Sequence, residues 1–308
     1  MRTFRLELVL LAFAIPALAH AGPRVALVAA QAAYPVIPSQ TTQAHAPDVS
    51  AATAVIASTT KPHLNLPTST AVPTSPIGLA PRIALVIGNS TYDARLGSLA
   101  TPSNDARLIA AGLSAVGFDV ELVVDANQSM MMQAISRLGQ RLTIAGRGST
   151  GLFYYAGHGM QSRGVNYLIP VGAAITREAD IDLEAVVADS VLGQMKGAGA
   201  SPNIVILDAC RNMAIASIVR NGTCGLARIG APTNSFLGYS AAPGALAADG
   251  NGRNSSFALA LNAELQQSGQ PIEIMFRNVR RTVVQTTGGK QTPWNESSLV
   301  DSFVFKQE

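Results

Sequence analysis

The sequence has few charged residues, only two cysteines and, beyond its N-terminus, no long hydrophobic run. Charged residues make up 13% of the 308 positions, and the net charge is only +3. The lysines and arginines are scattered singly, without the clusters that follow a phosphate backbone, so nucleic acid is not an expected partner. Alanine, rather than long runs of leucine or isoleucine, supplies much of the hydrophobic content, and no run after the N-terminus is long enough to span a bilayer.

Phosphate-binding motifs are also missing where a nucleotide-binding domain needs them. Such a doubly wound domain is a natural alternative, because the ordered part of the chain opens with RIALVIGN. No GxGxxG follows this run, and GxxxxGK[ST] occurs nowhere in the chain. The backbone cradle for phosphates is therefore not expected.

The N-terminus has the pattern of a secretory signal peptide. Arg2 and Arg5 precede the apolar stretch from Leu8 to Leu18, and Ala19-His20-Ala21 matches a signal peptidase site. We expect residues 1–21 to be removed and the protein to be exported to the periplasm or secreted. An uncleaved membrane anchor is the alternative, but the apolar stretch is short for a span, so membrane contact is expected only through this segment.

Residues 22–79 are rich in alanine, proline, threonine and serine and carry almost no charge. Proline recurs throughout this segment, and no hydrophobic period is present. The composition predicts an extended, largely disordered linker. A single folded domain is then expected over residues 80–308.

Beyond Pro81, short apolar runs alternate with helical patterns. This alternation predicts an α/β fold with a mainly parallel sheet covered by helices on both faces. The predicted strands are Arg82 to Ile87, Phe118 to Val124, Gly151 to Tyr155, Asn203 to Leu207, Ser235 to Tyr239 and Ser302 to Phe305. The predicted helices are Asn104 to Val116, Ser129 to Ile144, Leu183 to Met195, Ser255 to Gln267 and Ile272 to Val284.

Two predicted strands run into reactive side chains. The run that ends at Tyr155 continues into Ala-Gly-His158-Gly159, and the run that ends at Leu207 continues into Asp-Ala-Cys210. The carboxyl ends of parallel strands are where sites form, so His158 and Cys210 should meet if the strands are neighbours. An imidazole within reach can activate a thiol, and the Gly159 amide is a candidate donor to an oxyanion.

The motifs YYAGHG and LDACRN, 52 positions apart from His to Cys, resemble those of caspase-like cysteine peptidases. The segments RIALVIGNSTY, PSNDA and GYSAAPGALAADGNGRNSSFA extend the resemblance from about Arg82 to Phe305, nearest to the bacterial metacaspase and paracaspase (orthocaspase) branch. It implies a three-layer sandwich with a six-stranded sheet. It also implies an endopeptidase that acts through His158, Cys210 and a covalent thioester.

The same resemblance implies a preference for Arg or Lys at the cleaved position of protein or peptide substrates. Asp208 stands two residues before Cys210, and Asp105 of PSNDA matches the second acid of the specificity pocket. Two carboxylates at the base of a slot favour a cationic side chain. Asp105 can also cap the helix that follows it.

The resemblance also bears on other positions of the specificity pocket and the substrate groove, and one of them departs from the paracaspase pattern. Leu246 stands where paracaspases have a third acid, and Asp249 is a possible substitute. Tyr239 and Ser240 would line the substrate groove.

The region after Cys210 raises two further hypotheses. Arg220 and Arg228 lie where caspases are cut during activation, so they are candidate sites of self-cleavage. The second cysteine, Cys224, would lie with Cys210 in an oxidising compartment, and a disulfide between them is the alternative to a free nucleophile.

No cofactor is expected, and calcium is the alternative. Calcium-dependent metacaspases carry an aspartate cluster, and the comparable group here is Asp180, Asp182 and Glu184. Acids at a helix N-terminus explain this spacing without a metal, and no loop has a recognised calcium-ligand spacing.

Two other functions compete with the one proposed. One is a catalytically silent caspase-like scaffold that binds partners, although both His158 and Cys210 are present. The other is a legumain-like or gingipain-like peptidase, which the specificity carboxylates would distinguish. The oligomeric state does not follow from the sequence.

Overall fold

The protein is represented by a computed structural model that describes residues 80–210, 226–245 and 252–308, with the side chain of Cys210 excepted. The predicted segments 1–21 and 22–79 lie outside these residues. So do four residues that the sequence singles out: Arg220, Cys224, Leu246 and Asp249. Within the described part of the chain, no helix is both long and apolar enough to cross a bilayer.

Eight strands in the described residues form one sheet. They are β1 (Arg82–Gly88), β2 (Asp119–Val124), β3 (Thr150–Ser162), β4 (Val165–Leu168), β5 (Val186–Val187), β6 (Asn203–Cys210), β7 (Ser235–Tyr239) and β8 (Trp294–Ser297). The main path has the order β2-β1-β3-β6-β7-β8. All neighbours on this path are parallel except β7 and β8, which are antiparallel.

The described helices cover both faces of the sheet. They are α1 (Pro102–Ala115), α2 (Gln128–Ala145), α3 (Ile181–Glu184), α4 (Ala188–Gly197), α5 (Ser256–Leu265) and α6 (Ile272–Thr286). Alternate strand residues such as Leu152 and Tyr154 pack against α1, α5 and α6. Their neighbours Phe153 and Tyr155 pack against α2 and α4. This arrangement explains why the strands read as continuous apolar runs, and the predicted α/β sandwich with its mainly parallel sheet is confirmed.

Local sequence signals account for the starts of the long helices. Pro102 begins α1, where its missing N–H costs nothing. The side chain of Asn127 accepts a hydrogen bond from Met130 N and caps α2, and Ser255 caps α5 in the same way through Ala258 N. Each cap satisfies a backbone donor that has no partner within its helix.

Strand β3 is much longer than the sequence predicts. Its first part pairs with β1 and β6, and its last part, Gly159 to Ser162, pairs with β4 in the antiparallel direction. Strand β4 then pairs with the short β5. The sequence prediction ended this strand at Tyr155, because the glycines that follow resemble a turn.

Two predicted elements were wrong. The sixth strand of the main path is β8, whereas Ser302 to Phe305 contains a single isolated bridge, between Val304 and Pro271. The guanidinium of Arg82 donates to the carbonyls of Val304 and Phe305, so a side chain takes the place of a neighbouring strand. The predicted helix from Leu183 to Met195 is interrupted by β5, where the buried Val186 pairs with β4.

Candidate active site

The register of β3 and β6 places His158 and Cys210 side by side. The two strands run parallel, and His158 is the Cα partner of Cys210 at the end of the pairing. Strands in a sheet lie about 4.8 Å apart, so the two backbones are close neighbours where the parallel pairing of these two central strands ends. This is the meeting that the sequence predicts if the strands are adjacent.

The imidazole of His158 is buried and oriented by the loop that follows β1. Its Nε2 lies 2.8 Å from the carbonyl oxygen of Gly97. A carbonyl oxygen can only accept, so Nε2 carries the proton in the neutral ring and Nδ1 carries the lone pair. The ring of Tyr92 packs against the imidazole with a centroid distance of 4.3 Å. The tautomer and the orientation of His158 are therefore both fixed by this loop.

Two buried tyrosines also hold the backbone of His158. The amide of His158 donates to Tyr92 Oη at 3.0 Å, and Tyr155 Oη donates to the His158 carbonyl at 2.8 Å. Gly157 lies between these hydroxyls with φ +153°, and a Cβ there would come within 2.7 Å of each. Only glycine fits this position, because a side chain would push the tyrosines away from the histidine backbone.

Gly159 is required by the close approach of β3 and β6. A Cβ at Gly159 would meet Ala209 Cβ at 2.8 Å and Leu226 Cδ2 at 3.3 Å. The strand continues past this residue into its pairing with β4. The candidate oxyanion donor thus lies directly after His158 on a rigid strand.

Asp105 and Asp208 lie together on the face of the sheet that α1 and α5 cover. Asp105, in the first turn of α1, accepts hydrogen bonds from Asn254 Nδ2 at 2.8 Å and from Ser255 N at 3.0 Å. Asp208 Oδ2 accepts hydrogen bonds from Tyr154 Oη and Ser255 Oγ, both at 3.2 Å. Ser255 therefore links the two carboxylates.

Burial changes the protonation of both acids. Loss of solvation raises the pKa of Asp208 to about 7, and the nearby Asp105 charge contributes to the increase. Burial also raises the pKa of Asp105, although hydrogen bonds from Asn254 and Ser255 oppose it. Two carboxylates buried close together resist double ionisation, and no salt bridge to either acid is formed by the residues that the structure describes.

Ser240 and Tyr239 have different surroundings. Ser240 is buried near Asp208, and its side chain lowers the pKa of that acid against the larger effect of burial. Tyr239 packs on the opposite face of the sheet, toward α4, and its hydroxyl accepts a hydrogen bond from Ile229 N at 3.2 Å. Ser240 thus lies with Asp105 and Asp208 in what we name the acidic site, and Tyr239 supports the segment that contains Ile229.

Arg228 is the self-cleavage candidate that lies within the described residues. Its guanidinium carbon lies 5.2 Å from the centre of the Trp294 ring, and its Nε lies 3.4 Å from Glu296 Oε1. Both partners are on β8, so the Arg228 side chain is directed to that strand and away from the two aspartates.

The neighbours of Arg228 are anchored as well. Leu226 is buried, and Ala227 exchanges two hydrogen bonds with the buried side chain of Asn166, at 2.7 and 2.8 Å. The amide of Ile229 is bound by Tyr239. We name Leu226–Ile229 the anchor segment, because each of its residues has a fixed partner in the domain.

The acidic group near α3 is engaged with protein partners. Each of the three acids binds different groups: Asp180 binds Thr176 and Arg177, Asp182 binds Arg163 and Tyr167, and Glu184 binds the Ala174 amide. Among the described residues, no three acidic, histidine or cysteine side chains converge in a way that would hold a metal ion. The expectation that no cofactor is needed stays a prediction, to be tested by activity with and without calcium.

Sequence reasoning missed the residues that organise the site. Tyr92, Gly97, Tyr154, Asn254 and Ser255 were not assigned roles from the sequence. Four of them lie within motifs that carry the family resemblance: Tyr92 in RIALVIGNSTY, Tyr154 in YYAGHG, and Asn254 and Ser255 in NSSFA. Gly97 lies between two of the motifs. No local signal showed that these segments converge, because the contacts of Asn254 and Ser255 with Asp105 span 149 and 150 residues.

The family follows from comparison with known proteins. A family model described as the caspase domain matches residues 81–304. The chain therefore belongs to the caspase domain family, and residues 81–304 form a cysteine peptidase domain of caspase type. The resemblance stated from the motifs is confirmed.

Two curated proteins match part of the domain. The chain is similar to mucosa-associated lymphoid tissue lymphoma translocation protein 1 of Homo sapiens and to its Mus musculus homolog. Each is 28% identical over 130 residues, which is 42% of this chain and 15% of the relative.

Proposed function

We propose that the protein is a cysteine endopeptidase that cleaves after Arg or Lys, with Cys210 as nucleophile and His158 as its base. The observation that carries this proposal is the register of His158 and Cys210, with Asp208 two residues before the cysteine and beside Asp105. The residues proposed for bond cleavage, His158 and Cys210, thus lie near the acids proposed to recognise a cation.

The hydrogen bond of His158 to Gly97 supports its role as base. With the proton on Nε2, the Nδ1 lone pair accepts the proton of the Cys210 thiol. The thiolate attacks the carbonyl carbon of the scissile bond, and the negative charge passes to the carbonyl oxygen. The Gly159 amide is the proposed donor to this oxyanion.

The remaining steps return the enzyme to its starting state. Protonated His158 gives its proton to the amine as the C–N bond breaks, which leaves a thioester on Cys210. Water then attacks the thioester while His158 accepts a proton. The sulfur departs as thiolate and takes the proton back from His158, and the acid product is released.

Asp105 and Asp208 supply the proposed selectivity. A guanidinium or ammonium group that enters their site favours the ionised carboxylates, whereas an acidic side chain would be repelled. Because Asp208 lies only two residues from Cys210, a bound basic side chain places its own carbonyl near the nucleophile. The substrates are therefore proteins or peptides that present Arg or Lys in an extended segment.

The test is hydrolysis of matched fluorogenic peptides that end in Arg, Lys, citrulline or Asp. The full chain, Cys210→Ala and Asp208→Asn are compared under reducing conditions, with and without calcium. The proposal expects cleavage after Arg and Lys that is absent in Cys210→Ala. It expects Asp208→Asn to lose most of the preference for Arg over citrulline, which has the same shape without the charge. Cleavage after Asp, or no cleavage in any condition, would contradict it.

A further inference from the structure

The loop that orients His158 is Ser90–Leu99, which we name the histidine loop. It contacts the imidazole from two directions, through the ring of Tyr92 and the carbonyl of Gly97. Its ends are tied together by the hydrogen bond from Leu99 N to Ser90 O at 3.0 Å. The position of this loop relative to the sheet therefore decides where the base can point.

The start of the histidine loop is held by one carboxylate, that of Asp125 at the end of β2. Oδ1 of Asp125 accepts hydrogen bonds from the amides of Ser90 at 2.7 Å and Thr91 at 2.9 Å. Oδ2 accepts a third from Thr91 Oγ1 at 2.9 Å. Its backbone amide donates to Gly88 O at 2.9 Å, which joins β2 to the end of β1.

The backbone of Asp125 is itself unusual. Its φ is +52°, in the left-handed region that residues other than glycine seldom adopt. Strained residues of this kind persist where the surrounding structure requires them and are concentrated near functional sites. This backbone conformation directs the carboxylate toward the amides of Ser90 and Thr91, which follow the end of β1.

The carboxylate of Asp125 is charged at neutral pH. Burial alone would raise its pKa, but the hydrogen bonds from Ser90 and Thr91 outweigh this effect and lower it. Charge-assisted hydrogen bonds are about twice as strong as neutral ones. The hydrogen bonds of Asp125 thus attach the start of the histidine loop strongly to the end of β2.

We propose that Asp125 is a positioning residue for His158, acting through the histidine loop. By fixing Ser90 and Thr91, it fixes Tyr92 and the path to Gly97, and so the tautomer and direction of the imidazole. This inference rests on the proposed function for its kinetic consequence. Its structural consequence, the orientation of His158, can be measured without activity.

The test compares Asp125→Ala, Asp125→Asn and the control Asp119→Asn in the full chain. Asparagine keeps an oxygen that accepts from both amides, and its NH2 can donate to Thr91, so Asp125→Asn should remain within about threefold of the parent kcat. Asp125→Ala loses these three bonds and a longer one from Ser103 Oγ at 3.5 Å, and kcat should fall on the order of 10- to 100-fold with KM nearly unchanged. Asp119 pairs with Arg141 on the exposed side of β2 and should have no effect.

Side-chain 15N spectra supply the second readout. The His158 signals, assigned by their loss in His158→Gln, should show the Nε2–H tautomer in the parent and in Asp125→Asn. They should show mixed tautomers in Asp125→Ala. If the tautomer changes as expected but no variant cleaves peptides, the proposed function fails while the positioning role stands.

Three outcomes would overturn the inference. One is an unchanged kcat and tautomer in a folded Asp125→Ala. A second is a loss in Asp125→Asn as large as that in Asp125→Ala, since charge rather than positioning would then matter. If Asp125→Ala does not fold, Thr91→Val takes its place, because it removes only the hydrogen bond from Thr91 Oγ1 to Asp125 at an exposed position. The third outcome is an unchanged kcat and an unchanged His158 tautomer in Thr91→Val.

Discussion

Asp105 and Asp208 share one hydrogen-bonding partner, Ser255, although α1 supplies the first acid and β6 the second. Ser255 donates its amide to Asp105 and its hydroxyl to Asp208. The same hydroxyl accepts from Ala258 N and caps α5. A single residue thus connects the acidic site to the start of a helix, and the protonation of the site is set by buried groups that the domain fold holds in place.

The raised pKa of Asp208 predicts a specificity that depends on pH. Below about pH 7 Asp208 is largely protonated and attracts a cation weakly, and above it the carboxylate is charged. The ratio of kcat/KM for Arg and citrulline peptides should therefore rise as pH increases through about 7. Ionisation of His158 and Cys210 affects both peptides equally and cancels in the ratio. A ratio that is constant from pH 5.5 to 8.5, a range of roughly one and a half units on each side of that pKa, would contradict this assignment.

Ser255→Ala tests the link between the two acids. Loss of the hydroxyl removes a hydrogen bond that stabilises the Asp208 carboxylate, so its pKa should rise further. The Arg to citrulline ratio should then change at a higher pH than in the parent. The lost helix cap should cost about 1 kcal/mol of unfolding free energy.

The matched control for Ser255→Ala is Asn127→Ala. It removes the cap of α2, which is remote from the acids, and should lower stability similarly without moving the pH dependence. An equal shift in both variants would mean that the effect comes from lost stability and not from Asp208.

Gly157→Ala tests the close packing beneath His158. The new methyl group would contact the hydroxyls of Tyr92 and Tyr155 at 2.7 Å, in addition to the strain of a positive φ. Activity should be lost, and the unfolding temperature should fall more than in Gly164→Ala. Gly164 also has a positive φ, +80°, but open space around it. Equal effects in the two variants would show that the tyrosine contacts do not constrain residue 157.

The anchor segment predicts which self-cleavage candidate is used. Cleavage after Arg228 would require the release of contacts to Asn166, Trp294 and Glu296. We therefore expect self-cleavage, if the purified chain shows it, to occur after Arg220. Intact mass measurements should show this cut, and Arg220→Gln should abolish it while Arg228→Gln does not. A cut after Arg228 in the parent chain would refute the protective role of these contacts.

Much of the fold could be predicted because its strands are short apolar runs bounded by glycine, proline or aspartate. Strand β7 was predicted with its observed bounds. Strand β3 was underestimated, since the backbone that follows Gly157 is held by the hydroxyl of Tyr92, from a separate loop, and by that of Tyr155, within the strand. The last strand was misplaced because Phe303 and Phe305 are buried by packing and not by pairing.

The site was predictable to a different degree. His158, Cys210, Asp105 and Asp208 could be selected from motifs, because each lies within a local signature. Their supporting residues could not, since a contact such as that of His158 with Gly97 joins a strand to a loop 61 residues earlier in the chain. Residues that act through long-range hydrogen bonds leave no pattern in the local sequence.

The most direct test of the central claim is covalent labelling of the full chain by a peptidyl acyloxymethyl ketone that ends in Arg, followed by mass mapping. The account predicts one adduct on Cys210, no adduct in Cys210→Ala, strongly slowed labelling in His158→Ala, and little reaction with the matched Asp probe. Cys224, the other cysteine of the chain, should remain unlabelled. Labelling of Cys224 in place of Cys210, or equal labelling by the Arg and Asp probes, would contradict it.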